Sequence, residues 1–194
     1  MFKYLYLTKP EWTKAWTMGG SIPIALASNY VSIDRRGVMT PDETVVHDSP
    51  ISFHELQKNG FHAKNVRNLY FEDCQIGNLK IERIESASFY QEDGLILSFC
   101  HALDPEIARR LEKSACVRIY DIHALKSLLD DQLGVNGLAG PCRYTADHQR
   151  GHFLKSAEDS WQKEYRFFWP LKEPRDVLLP PGVAIEVPLG ANAA

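Results

Sequence analysis

Apolar and polar positions alternate most clearly late in the chain, over residues 161–169 ("WQKEYRFFW"). A period of two sends successive side chains to opposite faces of a strand. Trp161, Lys163, Tyr165, Phe167 and Trp169 form the expected core face, and Gln162, Glu164, Arg166 and Phe168 share the other. An amide, a carboxylate and a guanidinium then stand in a row, each about 7 Å from the next. Alternation also predicts a strand at 2–7 ("FKYLYL"), and short apolar runs predict strands at 22–28, 94–100, 116–120 and 182–188. Residues 66–73 and 79–86 read as two strands turning at Gly77.

Helix signals sit between these strands. Thr8 and Glu11 have capping-box spacing, Pro10 suits a first turn, and Gly19 and Gly20 stop the segment. Ser49 and Pro50 open a helix through Lys58, closed by Gly60. Asp104 and Pro105 open another, and Asp121 caps 122–133 before Gly134. Residues 31–48 are turn-rich and predict an exposed, mobile loop. Residues 134–142 read as a glycine-rich loop, 143–144 as a short extended piece, and 146–160 as a polar helical segment. Strands and helices do not alternate as a doubly wound sheet requires. The class is α+β: a single domain over 1–190, with mixed, largely antiparallel sheets, short helices and a frayed tail at 191–194.

Composition narrows the chemistry. The 194 residues carry a net charge of −3, so the bulk charge does not point to non-specific nucleic-acid binding. No run of 18 apolar residues predicts a membrane span, and the apolar stretch at the N-terminus is too short for a signal peptide. Cys74, Cys100, Cys116 and Cys142 are far apart, which predicts free thiols in a reducing, cytoplasmic setting rather than a zinc site. His148 and His152 are four apart but have no H-E-x-x-H around them, and no metal is expected. There is no G-x-G-x-x-G and no Walker loop.

The polar row carries a resemblance. Gln162-Lys163-Glu164, late in the chain on a predicted strand, resembles the Q/E-x-E element of ADP-ribosyltransferases. The chain also resembles an uncharacterised bacterial domain family that closes on an E-x-E-Y-R strand; "FKYLYL", "IPIALASNY", "ILSFC" and "WQKEYRFF" occur here in that order. The resemblance implies an ADP-ribosyltransferase-like fold that uses NAD as co-substrate and a macromolecule, protein or nucleic acid, as acceptor. It implies the context of a bacterial toxin or antiphage effector. Glu164 is then the catalytic carboxylate that anchors the ribose, and Gln162 orients the acceptor. Tyr4, Tyr6, Ser28 and Tyr30 shape the nicotinamide and ribose pocket, and Arg166 holds Glu164 ionised or contacts a phosphate. Arg35 and Arg36, in the loop after Ser28, are candidates to meet the pyrophosphate. The rival expectation is a non-enzymatic interaction or regulatory module with the same fold. It draws on the first strand, where Lys3, Tyr4 and Tyr6 stand in place of the Arg or His with which that superfamily grips NAD.

Overall fold

The computed structural model describes residues 2–189; the tail at 191–194 lies outside them. Strand β1 (Lys3–Leu7) leads to a 3-10 turn (Pro10–Trp12) and α1 (Thr13–Thr17). Thr8 does not cap this segment; Lys9 occupies that position without a side-chain bond. Strand β2 (Gly20–Leu26) ends in a 3-10 turn (Ala27–Tyr30). After β3 (Val45–Asp48), helix α2 (Phe53–Lys58) starts three residues later than Pro50, because the Ser52 hydroxyl accepts from the Glu55 N–H at 3.1 Å. Next come β4 (Val66–Ile76), β5 (Leu79–Gln91) and β6 (Leu95–Cys100). Helix α3 (Pro105–Arg110) is capped by Asp104, and β7 (Ala115–Ile119) follows. Asp121 caps α4 (Ile122–Leu133), which Gly134 closes at φ +68°. Strands β8 (Leu138–Pro141), β9 (Arg143–Thr145), β10 (Leu154–Ser156), β11 (Glu164–Trp169), β12 (Arg175–Leu179) and β13 (Ala184–Glu186) complete the chain.

These elements form one α+β domain with mostly antiparallel sheets. An eight-stranded sheet is built around β6, and a three-stranded sheet, β3-β5-β4, has its own cluster around Leu56, Phe71, Ile81 and Phe89. Strands β9 and β10 pair in parallel. Along one edge of β6 all six residues pair with β11, which pairs in turn with β8. The other edge is shared. Strand β2 pairs at Leu95 and Ile96, whereas β1 pairs at Cys100. The two attachment points lie four residues apart, about 13 Å along the strand. Neither register includes Leu97, Ser98 or Phe99. The sheet therefore forks at this edge, with β2 and β12 on one branch and β1, β7 and β13 on the other.

The period of two separates the faces of the β6–β11 pair. Leu95, Phe99, Phe167 and Trp169 pack with Trp16 of α1 and with Ile122, Leu125 and Leu129 of α4 in the main core. The indole N–H of Trp169 donates to Asp130 at 2.7 Å, so this buried ring leaves no polar atom unpaired. Gly94 sits where a Cβ would lie 2.4 Å from the Trp169 carbonyl oxygen, which restricts the turn into β6 to glycine.

Beyond the shifted helix starts, four further sequence expectations fail here. The polar segment at 146–160 is not a helix: it contains β10 and enters a 3-10 helix (Ala157–Gln162). The glycine-rich stretch at 134–142 contributes β8, since Ala139 and Gly140 fit beside Phe167 and Arg166 of β11. The predicted exposed loop at 31–48 ends in β3 and buries Thr40, Glu43 and Thr44. The strand predicted over 161–169 begins only at Glu164, because Lys163 takes a left-handed conformation (φ +48°) between the 3-10 helix and β11. Among the described residues, no helix is long and apolar enough to cross a membrane.

Candidate functional site

A cavity of about 640 Å³ opens where the sheet forks. Leu97, Ser98 and Phe99 of the unpaired stretch of β6 line it, with Trp12 and Trp16 on the wall and Tyr30 from the turn after β2. Its polar end is made by Glu43, Gln162, Glu164 and Arg166. Glu164 and Arg166 share a face of β11 with their cross-strand partners Cys100 and Ser98. Gln162 does not reach this place by strand alternation. It ends the 3-10 helix, and the left-handed turn at Lys163 sets it beside Glu164. Trp161 faces away from the main core and packs with the cluster around Tyr6, Cys100 and Ile107.

The polar end is buried. Glu164 is 8% exposed, Arg166 3% and Gln162 2%. Such groups keep their charges only when paired, and here the pairing closes on itself. The Lys155 ammonium from β10 donates to Glu164 Oε2 and to Gln162 Oε1, both at 2.8 Å. Arg166 Nη2 lies 2.5 Å from Glu43 Oε1 and 3.2 Å from Glu164 Oε2. Lys155 is also 3.8 Å from Glu43. Two cations and two carboxylates therefore balance. The remaining hydrogen-bonding capacity is also engaged. The Thr40 hydroxyl donates to Glu43 at 3.0 Å, Arg166 Nη1 donates to the His152 carbonyl at 3.2 Å, and the Gln162 amide donates to the Gly37 carbonyl at 3.1 Å. The Glu164 N–H donates to the Tyr144 hydroxyl at 2.9 Å.

Burial opposes ionisation of Glu164, but Arg166 and Lys155 outweigh it and hold the carboxyl well below the usual range, to about 2. Burial opposes the charge on the Arg166 guanidinium, but Glu164 and Glu43 favour it more strongly, so its pKa rises and it stays ionised. Burial pushes the Cys142 thiol beside them up to about 12, and Cys100 is also pushed up. Both are neutral thiols at pH 7, not nucleophiles. The site thus holds a fixed, ionised carboxylate at the end of an aromatic cavity. It can stabilise positive charge developing in a ligand, and it can accept hydrogen bonds from hydroxyl groups.

The other residues singled out in the sequence are spread more widely. Tyr6 lines the cavity with its ring, while its hydroxyl donates to the Ala102 carbonyl at 2.9 Å and accepts from the Asp104 N–H at 2.7 Å. Tyr30 lines the cavity, and burial together with nearby Glu43 raises its pKa. Tyr4 packs against the cluster containing Tyr6 and Cys116 and is not among the lining residues. Ser28 is exposed, outside the cavity, and its N–H donates to Asp93 at 3.0 Å. Arg35 is held by Asp42, Glu158 and Asp159 at 2.5–2.9 Å, while Arg36 is exposed. His148 lies against His47 with the rings tilted at 46°, and His152 stacks on Phe168; no helix runs through 148–152, so the two do not share a helix face.

Lys155 and Glu43 have no counterpart in the sequence reading. Lys155 lies in the segment read as a polar helix, and Glu43 in the loop read as exposed. A lone lysine or glutamate in such a context gives no signal until the chain is folded. No protein-family model, curated protein or solved structure matches this chain.

Proposed function

We propose that the chain is an ADP-ribosyltransferase-like enzyme that cleaves the bond between nicotinamide and ribose in NAD. The observation that carries this reading is the ionised Glu164 fixed beside Gln162 at the polar end of an aromatic-walled cavity in a forked sheet. The cavity volume of about 640 Å³ lies within the range of small-molecule sites. Aromatic and aliphatic walls suit the planar nicotinamide, and Glu164 suits the ribose hydroxyls. As nicotinamide leaves, positive charge grows on the anomeric carbon and the ring oxygen. A carboxylate held ionised by Lys155 and Arg166 offsets that charge without reorganising. The fold is proposed to be ADP-ribosyltransferase-like on the same ground, because the fork of the sheet opens the cleft at Glu164.

A second reading has its own support. Both Glu164 oxygens already have cationic partners inside the protein, as a structural ion cluster in a non-enzymatic binding module would require. Nicotinamide release separates the two. The wild type is expected to release nicotinamide from NAD, and Glu164→Gln is expected to lower that rate by about 10²–10³-fold while keeping its fold. A folded Glu164→Gln protein with full activity removes Glu164 from catalysis. A wild type that releases no nicotinamide favours the binding module.

A further inference from the structure

We infer, resting on the NAD-cleaving reading above, that the rim of the cavity away from Glu164, made by Glu11, Trp12 and Lys113, is the subsite for the adenosine diphosphate half of the dinucleotide. The two ends of the cavity differ in kind. At the inner end the charges match one another, Lys155 and Arg166 against Glu43 and Glu164. At the rim they do not. Lys113, just before β7, lines the cavity, and its ammonium donates to the Thr8 hydroxyl at 2.8 Å. Among the described residues, neither Lys113 nor Glu11 is in an ion pair. Burial lowers the Lys113 pKa, and nearby Glu112 offsets only part of that. This cation has therefore given up hydration without gaining a carboxylate. A phosphate group entering the cavity supplies the missing partner.

Trp12 is the second observation. It is 48% exposed, whereas Trp16, one turn further on, is 3% exposed. Trp12 lines the cavity at its open side, with the Lys9 ammonium 5.5 Å from the centre of its ring. A half-exposed indole beside positive charge is a stacking platform for a base that stays near solvent. Adenine is that base when nicotinamide occupies the inner end. Glu11 belongs to the same 3-10 turn, is exposed and also lines the cavity. It can accept hydrogen bonds from the adenosine ribose hydroxyls, as acidic residues do at other dinucleotide sites.

Strand geometry sets the span between the two ends. Glu164 stands opposite Cys100, and Cys100 opposite Tyr4. Thr8, which holds the Lys113 ammonium, is four residues beyond Tyr4. Two strand spacings across and four residues along put that ammonium about 16 Å from the Glu164 backbone. A nicotinamide riboside held at Glu164 ends well short of it, and the diphosphate and adenosine of a dinucleotide continue toward it. The phosphate contact then falls to Lys113 rather than to Arg35 or Arg36. Arg35 is held by three carboxylates, and neither arginine lines this cavity.

The test uses the full chain, with nicotinamide release giving kcat/KM for NAD and for nicotinamide mononucleotide, and calorimetry giving the Kd of ADP-ribose. Lys113→Met and Trp12→Ala are each expected to lower the ratio of kcat/KM for NAD to that for the mononucleotide about 10-fold, and to weaken ADP-ribose binding by a similar factor. A merely structural role lowers both substrates alike and leaves the ratio where it was. Lys113→Arg and Trp12→Phe, which keep the charge and the ring, are expected to recover part of the loss. Glu11→Gln is expected to narrow the preference for NAD over its adenosine 2′-phosphate form about 5-fold, by removing a repelling charge; an unchanged preference removes Glu11 from the subsite. Wild-type ratios and wild-type ADP-ribose binding in folded Lys113→Met and Trp12→Ala proteins overturn the inference and leave the NAD-cleaving reading standing. A wild type that releases no nicotinamide but binds ADP-ribose, with binding weakened in both variants, overturns the cleavage reading and leaves the subsite. A wild type that does neither overturns both.

Discussion

Both faces of β11 are largely buried, and they are built from opposite materials. Phe167 and Trp169 are fully buried among aromatic and aliphatic side chains. Glu164 and Arg166, alternating with them, are nearly as deep among charges. On the first face the solvent-excluding contacts are themselves the source of stability. On the second, each charge gives up its hydration and recovers it through its charged neighbours Lys155 and Glu43, through the Thr40 and Ser98 hydroxyls and through backbone carbonyls. Alternation along a strand is therefore not a record of inside and outside in this protein. Both faces are inside, and the polar one depends on partners from β10 and from the segment before β3. A protein that needed only stability would gain little from that arrangement, since a matched apolar cluster is often as stable or more so.

The largest effects come from breaking each face once. Phe167→Ala opens a cavity in the main core and is expected to cost about 3–5 kcal/mol. Arg166→Met leaves Glu43 and Glu164 buried with Lys155 as their one remaining cation, and is expected to cost about the same, about 3–5 kcal/mol. The faces separate when all partners are replaced. Substituting Glu43, Lys155, Glu164 and Arg166 together by apolar residues of similar volume is expected to recover much of that loss, whereas no set of polar replacements rescues Phe167→Ala. Urea unfolding midpoints measure both. A quadruple variant as unstable as Arg166→Met would mean that the ion cluster is a net source of stability, and the contrast between the faces would fail.

A smaller effect distinguishes the faces by pH. Glu164 is held below its ordinary 4.5, so its contribution is complete above about 4.5 and is lost as pH falls toward its folded value near 2. His47, on the segment that covers the polar face, is pushed from 6.5 down to about 4, by burial first and by the adjacent His148 second. The unfolded chain takes up that proton first, so stability falls between about pH 6.5 and pH 4. His47→Gln is expected to flatten the upper part of the curve. Glu164→Gln is expected to make the lower part shallower, with Asp42 and Glu92, also held low by ion pairing, contributing the rest. Phe167→Leu is expected to lower the whole curve without changing its slope. The measurement is the urea midpoint from pH 7 to pH 3. An undiminished fall below 4.5 in Glu164→Gln would show that the cluster does not carry that charge.

Much of the scaffold is legible in the sequence because its signals are local. The caps at Asp104 and Asp121, the stop at Gly134 and the apolar runs of β1, β6 and β7 are each decided by neighbours in the chain. The errors fall where a distant partner overrides local preference. Residues 138–141 form a strand because the free edge of β11 is available, which no property of "LAGP" announces. The candidate site is half legible. Glu164 and Arg166 follow from alternation, but Gln162 reaches the cavity through a left-handed lysine that alternation does not foresee. Lys155 and Glu43 are visible only once the segments around β3 and β10 have closed over the polar face.

Arg35 and Arg36 bring the smallest expected effect and the finest test of what that closure needs. In the sequence they are equivalent: adjacent, in a turn-rich segment, both candidates for contact with a phosphate. In the fold they are not. Arg35 is pinned by Asp42 from its own segment and by Glu158 and Asp159 from the 3-10 helix that delivers Gln162. Asp42 is also gripped by Arg150. Arg35 thus ties the covering segment to the element carrying Gln162, whereas Arg36 has an 81% exposed side chain and one ion pair, to Glu112, at 3.9 Å. Surface pairs of that kind contribute little. Arg36→Glu is therefore expected to change stability by no more than about 0.5 kcal/mol and, under the enzymatic reading, to leave the KM for NAD unchanged. Arg35→Glu sets a fourth carboxylate among three and is expected to be clearly less stable and less active. Urea unfolding and nicotinamide release on the two single variants make the comparison. An Arg36→Glu protein as impaired as Arg35→Glu would mean that charge along the whole segment matters, and that the closure does not rest on the Arg35 cluster alone.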